Sequence, residues 1–92
     1  MSLKIEYGIL EQGICDVTDL CLNSAKDGII VIPKGDYYRC EFFGWLDPAD
    51  GYLKKIYISF NGNNYEFNVN YDITINTITN VISWEPNDDD TK

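Results

Sequence analysis

The sequence predicts an all-β domain, a small antiparallel β-sandwich of about seven short strands. Several segments alternate apolar and polar residues with a period of two, which is typical of half-buried strands. Turn-forming residues separate these segments at spacings of about 8–12 residues, as in sandwiches and barrels. The chain has 92 residues, of which 45% are hydrophobic, and this fits one domain with a modest core. We expect that domain to span residues 1–85, with residues 86–92 forming a disordered acidic tail.

The first half of the chain contains three predicted strands and one ambiguous segment. Residues 3–10 alternate cleanly, and residues 29–32 form a continuous β-branched run that predicts a strand buried on both faces. Residues 37–43 predict a third strand, with aromatic side chains on both of its faces. No period dominates residues 14–25, where we expect a turn at residues 16–18 followed by one irregular or helical turn.

The second half contains four more predicted strands, at residues 53–60, 65–71, 73–78 and 81–84. Asn61-Gly62 joins the first two, and this dipeptide favours the type I′ turn of a tight β-hairpin. In the first of these strands, the face that carries Ile56 and Ile58 is the more apolar one. We therefore expect that face to point into the core.

The most distinctive stretch is residues 42–58, where an aromatic run enters a polar corner, Asp47-Pro48-Ala49-Asp50-Gly51. In this corner proline presets φ, and glycine accepts a left-handed conformation. Aromatic rings rimmed by carboxylates suit a sugar ring or a protein hot spot. The candidate binding residues on this reasoning are Trp45, Tyr52, Asp47, Asp50, Phe43 and Tyr37. The alternative is structural: Trp45 covers the end of a thin core, and the carboxylates cap solvated turns.

The residue inventory argues against catalysis and against a bound metal. The chain contains no histidine, which excludes Ser-His-Asp and Cys-His catalysis and the common zinc sites that contain histidine. Three cysteines cannot form a four-cysteine zinc site, and no glycine-rich phosphate loop occurs. Arg39, Lys54 and Lys55 form the main positive cluster, and we expect them to pair with Glu41 or Glu66 across strands. We therefore predict that the protein is not an enzyme and has no catalytic residues, metal or cofactor.

The charge balance restricts the partners. The formal net charge is −8, which disfavours direct binding to nucleic acid or to an anionic membrane and favours a basic partner. The longest apolar run, residues 29–33, is far shorter than the ~20 residues of a membrane-spanning helix. Three cysteines without a visible secretory signal predict reduced thiols and a cytoplasmic location. A Cys15–Cys21 or Cys15–Cys40 disulfide is the alternative.

An ordered series of short motifs resembles a known family pattern. The motifs are Tyr7-Gly8, Asp16-Val17-Thr18, Phe43-Gly44, Asp47-Pro48, Gly51, Lys54 or Lys55, and Ile56-Tyr57-Ile58. The series resembles a small β module found at the C-terminus of some DnaJ-like (J-domain) proteins and as scattered domains in bacteria and fungi. The resemblance covers roughly residues 5–76, and it departs from the family pattern at the inserted Trp45-Leu46. It implies a fold, and it transfers no reaction and no catalytic residue.

The missing catalytic groups favour a non-enzymatic interaction module that binds protein through its loop end or an exposed edge strand. The alternative from a different class is a carbohydrate-binding domain that uses Trp45, Tyr52, Asp47 and nearby asparagines. A second alternative is an acidic inhibitor or nucleic-acid mimic that occupies a basic site. The exposure of Trp45 distinguishes a binding corner from a purely architectural one.

Overall fold

The computed structural model describes residues 2–46, 48 and 51–86. Its elements in chain order are β1 Leu3–Ile9, β2 Gly13–Asp16, α1 Thr18–Ser24, β3 Ile29–Ile32, α2 Asp36–Phe42, β4 Lys55–Phe60, β5 Asn63–Phe67, β6 Tyr71–Asn76 and β7 Val81–Pro86. In this part of the chain the seven strands form two antiparallel sheets, ordered β2-β1-β4-β5 and β3-β6-β7. The predicted antiparallel all-β class is therefore confirmed.

The hydrophobic core lies between the two sheets. Inward side chains repeat at every second residue of β4, where Ile56 and Ile58 are buried as the alternation predicts. One buried cluster contains side chains from both sheets and both helical regions: Ile5, Tyr7, Val17, Cys21, Ile30, Ile32, Phe43, Ile56, Ile58, Phe60, Phe67, Ile73 and Ile75. Each fully buried isoleucine of this kind contributes about 1.5–3 kcal/mol to folding, so the cluster is the main source of stability.

The β4–β5 hairpin forms as predicted. Asn61 and Gly62 have φ values of 50° and 88°, and a type I′ turn requires positive φ at both positions. The strand predicted at residues 65–71 is divided in the structure, because β5 ends at Phe67 and β6 begins at Tyr71. The alternation continues through both strands, so the pattern alone could not reveal the break.

The burial predicted for β3 is wrong. Ile30 and Ile32 are buried, but Ile29 and Val31 are exposed, so the strand faces the core with one side only. β3 is the edge strand of its sheet. A continuous β-branched run suits such an edge as well as a central strand, because the exposed positions tolerate apolar side chains.

The ambiguous segment contains β2 and α1, joined by the predicted turn. Asp16 Oδ1 accepts the backbone N–H of Thr18 at 2.9 Å and the Thr18 hydroxyl at 2.7 Å. These two bonds hold the pKa of Asp16 below its usual value. Thr18 Oγ1 in turn accepts the backbone N–H of Ile5 at 2.8 Å, which ties the start of α1 to β1.

The strand predicted at residues 37–43 is wrong, because this segment forms α2. The helix directs Arg39 and Phe43, four residues apart, into the interior, and it leaves Tyr37 and Tyr38 in solvent. Aromatic residues on both faces of this segment fit a strand. A helix is favoured instead because it lets Arg39 bond to the carbonyls of Pro33 and Tyr71. Tertiary contacts outweigh local propensity in a segment this short.

The side chain of Arg39 fastens α2 to one end of the β3-β6-β7 sheet. It is 0% exposed, and its Nε donates to the carbonyl oxygen of Pro33 at 2.9 Å. Its Nη2 donates to the carbonyl oxygen of Tyr71 at 2.7 Å. These carbonyls lie just after β3 and at the start of β6. Burial lowers the pKa of Arg39 to about 10, and the two bonds offset part of the desolvation cost.

A second polar anchor joins α2 to β4. Lys54 is buried, and its Nζ lies 3.4 Å from Asp36 Oδ2 and donates to the carbonyl oxygen of Tyr52 at 2.8 Å. The backbone N–H of Lys54 donates to Asp36 Oδ1 at 2.9 Å. On the opposite face of β4, Lys55 Nζ donates to Glu66 Oε2 at 2.7 Å, which raises the pKa of Lys55. The predicted cross-strand pairing is therefore confirmed for Lys55, whereas Lys54 pairs with Asp36 and Arg39 bonds to backbone carbonyls.

Cys15, Cys21 and Cys40 are all free, so neither alternative disulfide is formed. Burial raises the pKa of the Cys21 thiol to about 12.

β7 runs to Pro86, one residue beyond the predicted domain boundary. The rest of the predicted tail, residues 87–92, lies outside the described residues.

We expect Gly8→Ala to lower the free energy of unfolding by at least about 2 kcal/mol. Gly8 has a φ of 143°, and an added Cβ would collide with the carbonyl oxygen of Gly13 and lie 2.8 Å from Ile14 Cα. Urea denaturation measures the loss. Gly62→Ala is the control, because its Cβ meets no atom within 4 Å and only the positive φ opposes it. An equal effect at both positions would contradict a close β1–β2 approach.

Candidate functional site

Helix α2 ends in a hydrogen-bonded turn that projects Trp45 from the surface. The N–H of Gly44 donates to the carbonyl oxygen of Glu41 at 3.1 Å, and the N–H of Trp45 donates to that of Cys40 at 2.6 Å. This pair of bonds is the Schellman motif that ends many helices. Trp45 has a φ of 67°, a left-handed conformation that is costly for a bulky residue.

Three aromatic side chains lie side by side at this end of the molecule. Tyr37 contacts Tyr38 at a ring-centroid distance of 5.4 Å and Trp45 at 5.5 Å, in both cases edge to face. Their exposed fractions are 62% for Tyr37, 59% for Tyr38 and 58% for Trp45. We call this set the aromatic ladder. Trp45 therefore projects into solvent and does not cover the end of the core.

The other predicted site residues do not join the aromatic ladder. Phe43 is only 1% exposed, and its ring lies 4.6 Å from that of Tyr7, so it belongs to the core. Tyr52 is half-exposed, and its ring contacts no other ring in the part of the chain that the structure describes. Asp47 and Asp50 lie outside the described residues. Of the six candidates, the structure brings Tyr37 and Trp45 together.

Sequence reasoning missed Tyr38 and Phe42. If residues 37–43 were a strand, Tyr38 would point away from Tyr37, whereas in α2 both side chains are exposed and their rings make an edge contact at a centroid distance of 5.4 Å. The available signal was the helical spacing of Arg39 and Phe43, followed by a glycine at a position typical of a helix end.

An apolar groove runs between α2 and β3. It consists of two depressions, of about 400 Å³ and about 380 Å³, that meet at Phe42. The first is lined by Pro33, Lys34, Tyr38, Glu41, Phe42 and Asp72, and the second by Ser24, Lys26, Ile29, Val31 and Phe42. We call these together the α2–β3 groove. Tyr38 belongs to both the groove and the aromatic ladder, so the two surfaces are continuous.

The groove runs along the free edge of β3, but that edge is short. Ile29 exchanges two backbone hydrogen bonds with Lys26, at 3.0 and 3.1 Å. Because antiparallel residues alternate in direction, Val31 also turns its N–H and C=O away from β6. Pro33 has no N–H, and its carbonyl oxygen is bonded to Arg39. Val31 therefore provides the available donor and acceptor of this edge.

Two carboxylates border the first depression. The carboxylate of Glu41 has no ion-pair or hydrogen-bond partner among the described residues, and Asp72 Oδ1 accepts the backbone N–H of Lys34 at 3.0 Å. Within the described residues, no three His, Cys, Asp or Glu side chains lie close enough together to hold a metal ion. Lys34 also lines the first depression and Lys26 the second, so the site combines apolar and aromatic surface with charges of both signs at its border.

Comparisons of the chain with protein-family models, curated proteins and solved structures found no match. The similarity to the J-domain-associated β module thus stays a prediction from its motifs. Neither α1 nor α2 is long and apolar enough to cross a membrane, and no longer helix occurs among the described residues.

We expect Trp45→Gly to be more stable than Trp45→Ala by about 1 kcal/mol in free energy of unfolding. Both substitutions remove the ring, and only glycine accepts the φ of 67° without strain. Urea denaturation of the two variants gives the difference. The same pair of substitutions at Tyr52 serves as the control and should show no advantage for glycine. Equal stabilities of the two Trp45 variants would contradict a strained left-handed residue.

Proposed function

We propose that the protein is a non-enzymatic protein-binding module, and that it holds an extended, apolar and basic segment of a partner in the α2–β3 groove. The observation that carries this proposal is the continuity of the groove with the aromatic ladder. Apolar side chains line an elongated depression, and exposed tyrosine and tryptophan side chains extend it. Tyrosine and tryptophan are the residues most enriched at the energetic centres of protein interfaces.

Side-chain burial supplies most of the expected affinity. The exposed Val31 and Ile29 on one side and the half-buried Phe42 on the other lose further contact with water when a segment fills the groove. Apolar surface removed from water contributes roughly 25 cal/mol per Å². Association and ordering of a flexible segment offset much of this gain, so micromolar affinity is the expected range.

The backbone of β3 orients the partner segment and adds little to its affinity. A partner segment that extends the sheet can exchange hydrogen bonds with the N–H and C=O of Val31. Further bonds along the edge are prevented, because Ile29 is already paired with Lys26 and Pro33 lacks an N–H. The segment is thus expected to lie extended beside Val31 without becoming a full strand.

Charge selects the class of partner. The chain has a net charge of −8, and the groove is bordered by charges of both signs: Glu41, Asp72, Lys34 and Lys26. Opposite charge on the partner accelerates association and disfavours acidic competitors. A segment that is both basic and apolar suits the acidic chain and the apolar groove, and it can pair with the Glu41 carboxylate. Asp72 already accepts the backbone N–H of Lys34, so a purely apolar segment leaves the Glu41 carboxylate without a partner.

The alternatives predicted from the sequence receive less support. The carbohydrate-binding hypothesis requires Trp45, Tyr52 and Asp47 to act together. The ring of Tyr52 does not contact that of Trp45. Asp47 lies outside the described residues. An acidic inhibitor or nucleic-acid mimic would bind through charge alone, so it needs no apolar groove. Its binding would disappear in high salt, whereas groove binding would persist in part.

We expect Val31→Asp to weaken binding of groove-directed peptides by about tenfold or more, because it places a charge against apolar side chains. Peptides selected from a random display library on the immobilised protein are titrated calorimetrically in 0.15 and about 0.5 M salt. Val81→Asp is the matched control, because Val31 and Val81 are both 55% exposed and Val81 lies on β7, outside the groove.

The proposal is supported if Val31→Asp weakens the selected peptides, Val81→Asp leaves them unchanged, and part of the affinity persists at high salt. Failure of the library to yield any binder contradicts it. So does a set of binders that Val31→Asp and Val81→Asp affect equally, since those peptides would bind elsewhere.

A further inference from the structure

The aromatic ladder has an unpaired carboxylate beside it. Glu41 follows Tyr37 by four residues and Tyr38 by three, which are the two spacings that make side chains neighbours on one helical face. Glu41 is exposed, and its carboxylate has no ion-pair or hydrogen-bond partner among the described residues. The chain's only arginine, Arg39, lies on the same helix but is buried and bonded to two backbone carbonyls. Helix α2 therefore provides no cation that can pair with the Glu41 carboxylate.

The rings of the ladder present free aromatic faces. The interplanar angles are 84° between Tyr37 and Tyr38 and 68° between Tyr37 and Trp45, so each contact sets the edge of one ring against its neighbour. Tyr38 and Trp45 each make a single ring contact within the described part of the chain, and each therefore keeps a face without a ring against it. The negative potential of such faces attracts cations.

We propose that the aromatic ladder and Glu41 together form a receptor for an arginine side chain of the partner segment. This inference rests on the proposed function, because the arginine is delivered by the segment that fills the α2–β3 groove. A guanidinium group is planar, so it can stack on Tyr37, Tyr38 or Trp45 and still donate N–H bonds sideways to the Glu41 carboxylate. A lysine ammonium is a strongly hydrated point charge that cannot stack in this way.

The position of the ladder explains why the cation and the apolar segment arrive together. Tyr38 lines the groove and touches Tyr37, which touches Trp45. A segment whose apolar side chains lie in the groove therefore has a residue within reach of the rings. Arginine at that residue would satisfy the one exposed carboxylate on this face of α2.

Peptide titration of a variant with a single tryptophan tests the proposal. Trp84→Phe leaves Trp45 as the only tryptophan, so its emission reports directly on the ladder. The probes are three acetylated and amidated pentapeptides in which leucine alternates with arginine, lysine or citrulline. Citrulline has the shape of arginine without its charge. Circular dichroism verifies that every variant retains the wild-type fold.

The expected result is a change in Trp45 emission, with the arginine peptide binding about fivefold more tightly than the citrulline peptide and more tightly than the lysine peptide. Glu41→Gln should remove most of the difference between arginine and citrulline. Tyr37→Ala should weaken the arginine peptide about fivefold. Tyr52→Ala, which removes an exposed ring outside the ladder, is the matched control and should change nothing.

The outcomes separate this inference from the proposed function. If the arginine and citrulline peptides bind equally and Val31→Asp weakens both, the receptor for arginine is refuted and the groove remains. If Glu41→Gln abolishes the preference for arginine but Val31→Asp has no effect, the ladder binds arginine and the groove proposal fails. If no peptide binds, both are refuted.

Discussion

The buried guanidinium of Arg39 is the constraint on which the arrangement of α2 depends. A charged group at 0% exposure requires hydrogen-bond acceptors, and Arg39 finds them in the carbonyls of Pro33 and Tyr71. Its Nη1 has no hydrogen-bond partner in the described part of the chain, so the two bonds hold the group. We expect an apolar side chain of similar size to leave the orientation of the helix less defined, because it could not bond to these two carbonyls.

The candidate site follows from that orientation. With Arg39 and Phe43 directed inward, the helical period directs Tyr37, Tyr38 and Glu41 outward. The Schellman motif then turns the chain so that the strained Trp45 lies against Tyr37. This surface is pre-organised, because two of its exposed rings belong to a helix whose buried side is held by the hydrogen bonds of Arg39. Pre-organisation reduces the ordering cost of binding.

Sequence reasoning predicted the elements that local patterns determine. The alternation of β4 and the Asn61-Gly62 turn specify a hairpin without help from the rest of the chain. It failed at residues 37–43, because a buried arginine carries no hydrophobic signal and one of its two acceptors, the carbonyl of Tyr71, is distant in sequence. The same error hid Tyr38 and Phe42 from the candidate site. Tyr37 and Trp45 were predicted because exposed aromatics near a turn are informative in themselves.

Native-state hydrogen exchange in Arg39→Met tests the account most directly. Methionine fills a similar space and removes both donors, leaving two acceptors unsatisfied at about 1–3 kcal/mol each. The amide of Phe43, bonded to the Arg39 carbonyl, and that of Gly35, bonded to Val69, should lose protection at least about tenfold more than the amides of β4. Equal loss of protection in α2 and β4, or no loss in α2, would contradict the central role of Arg39.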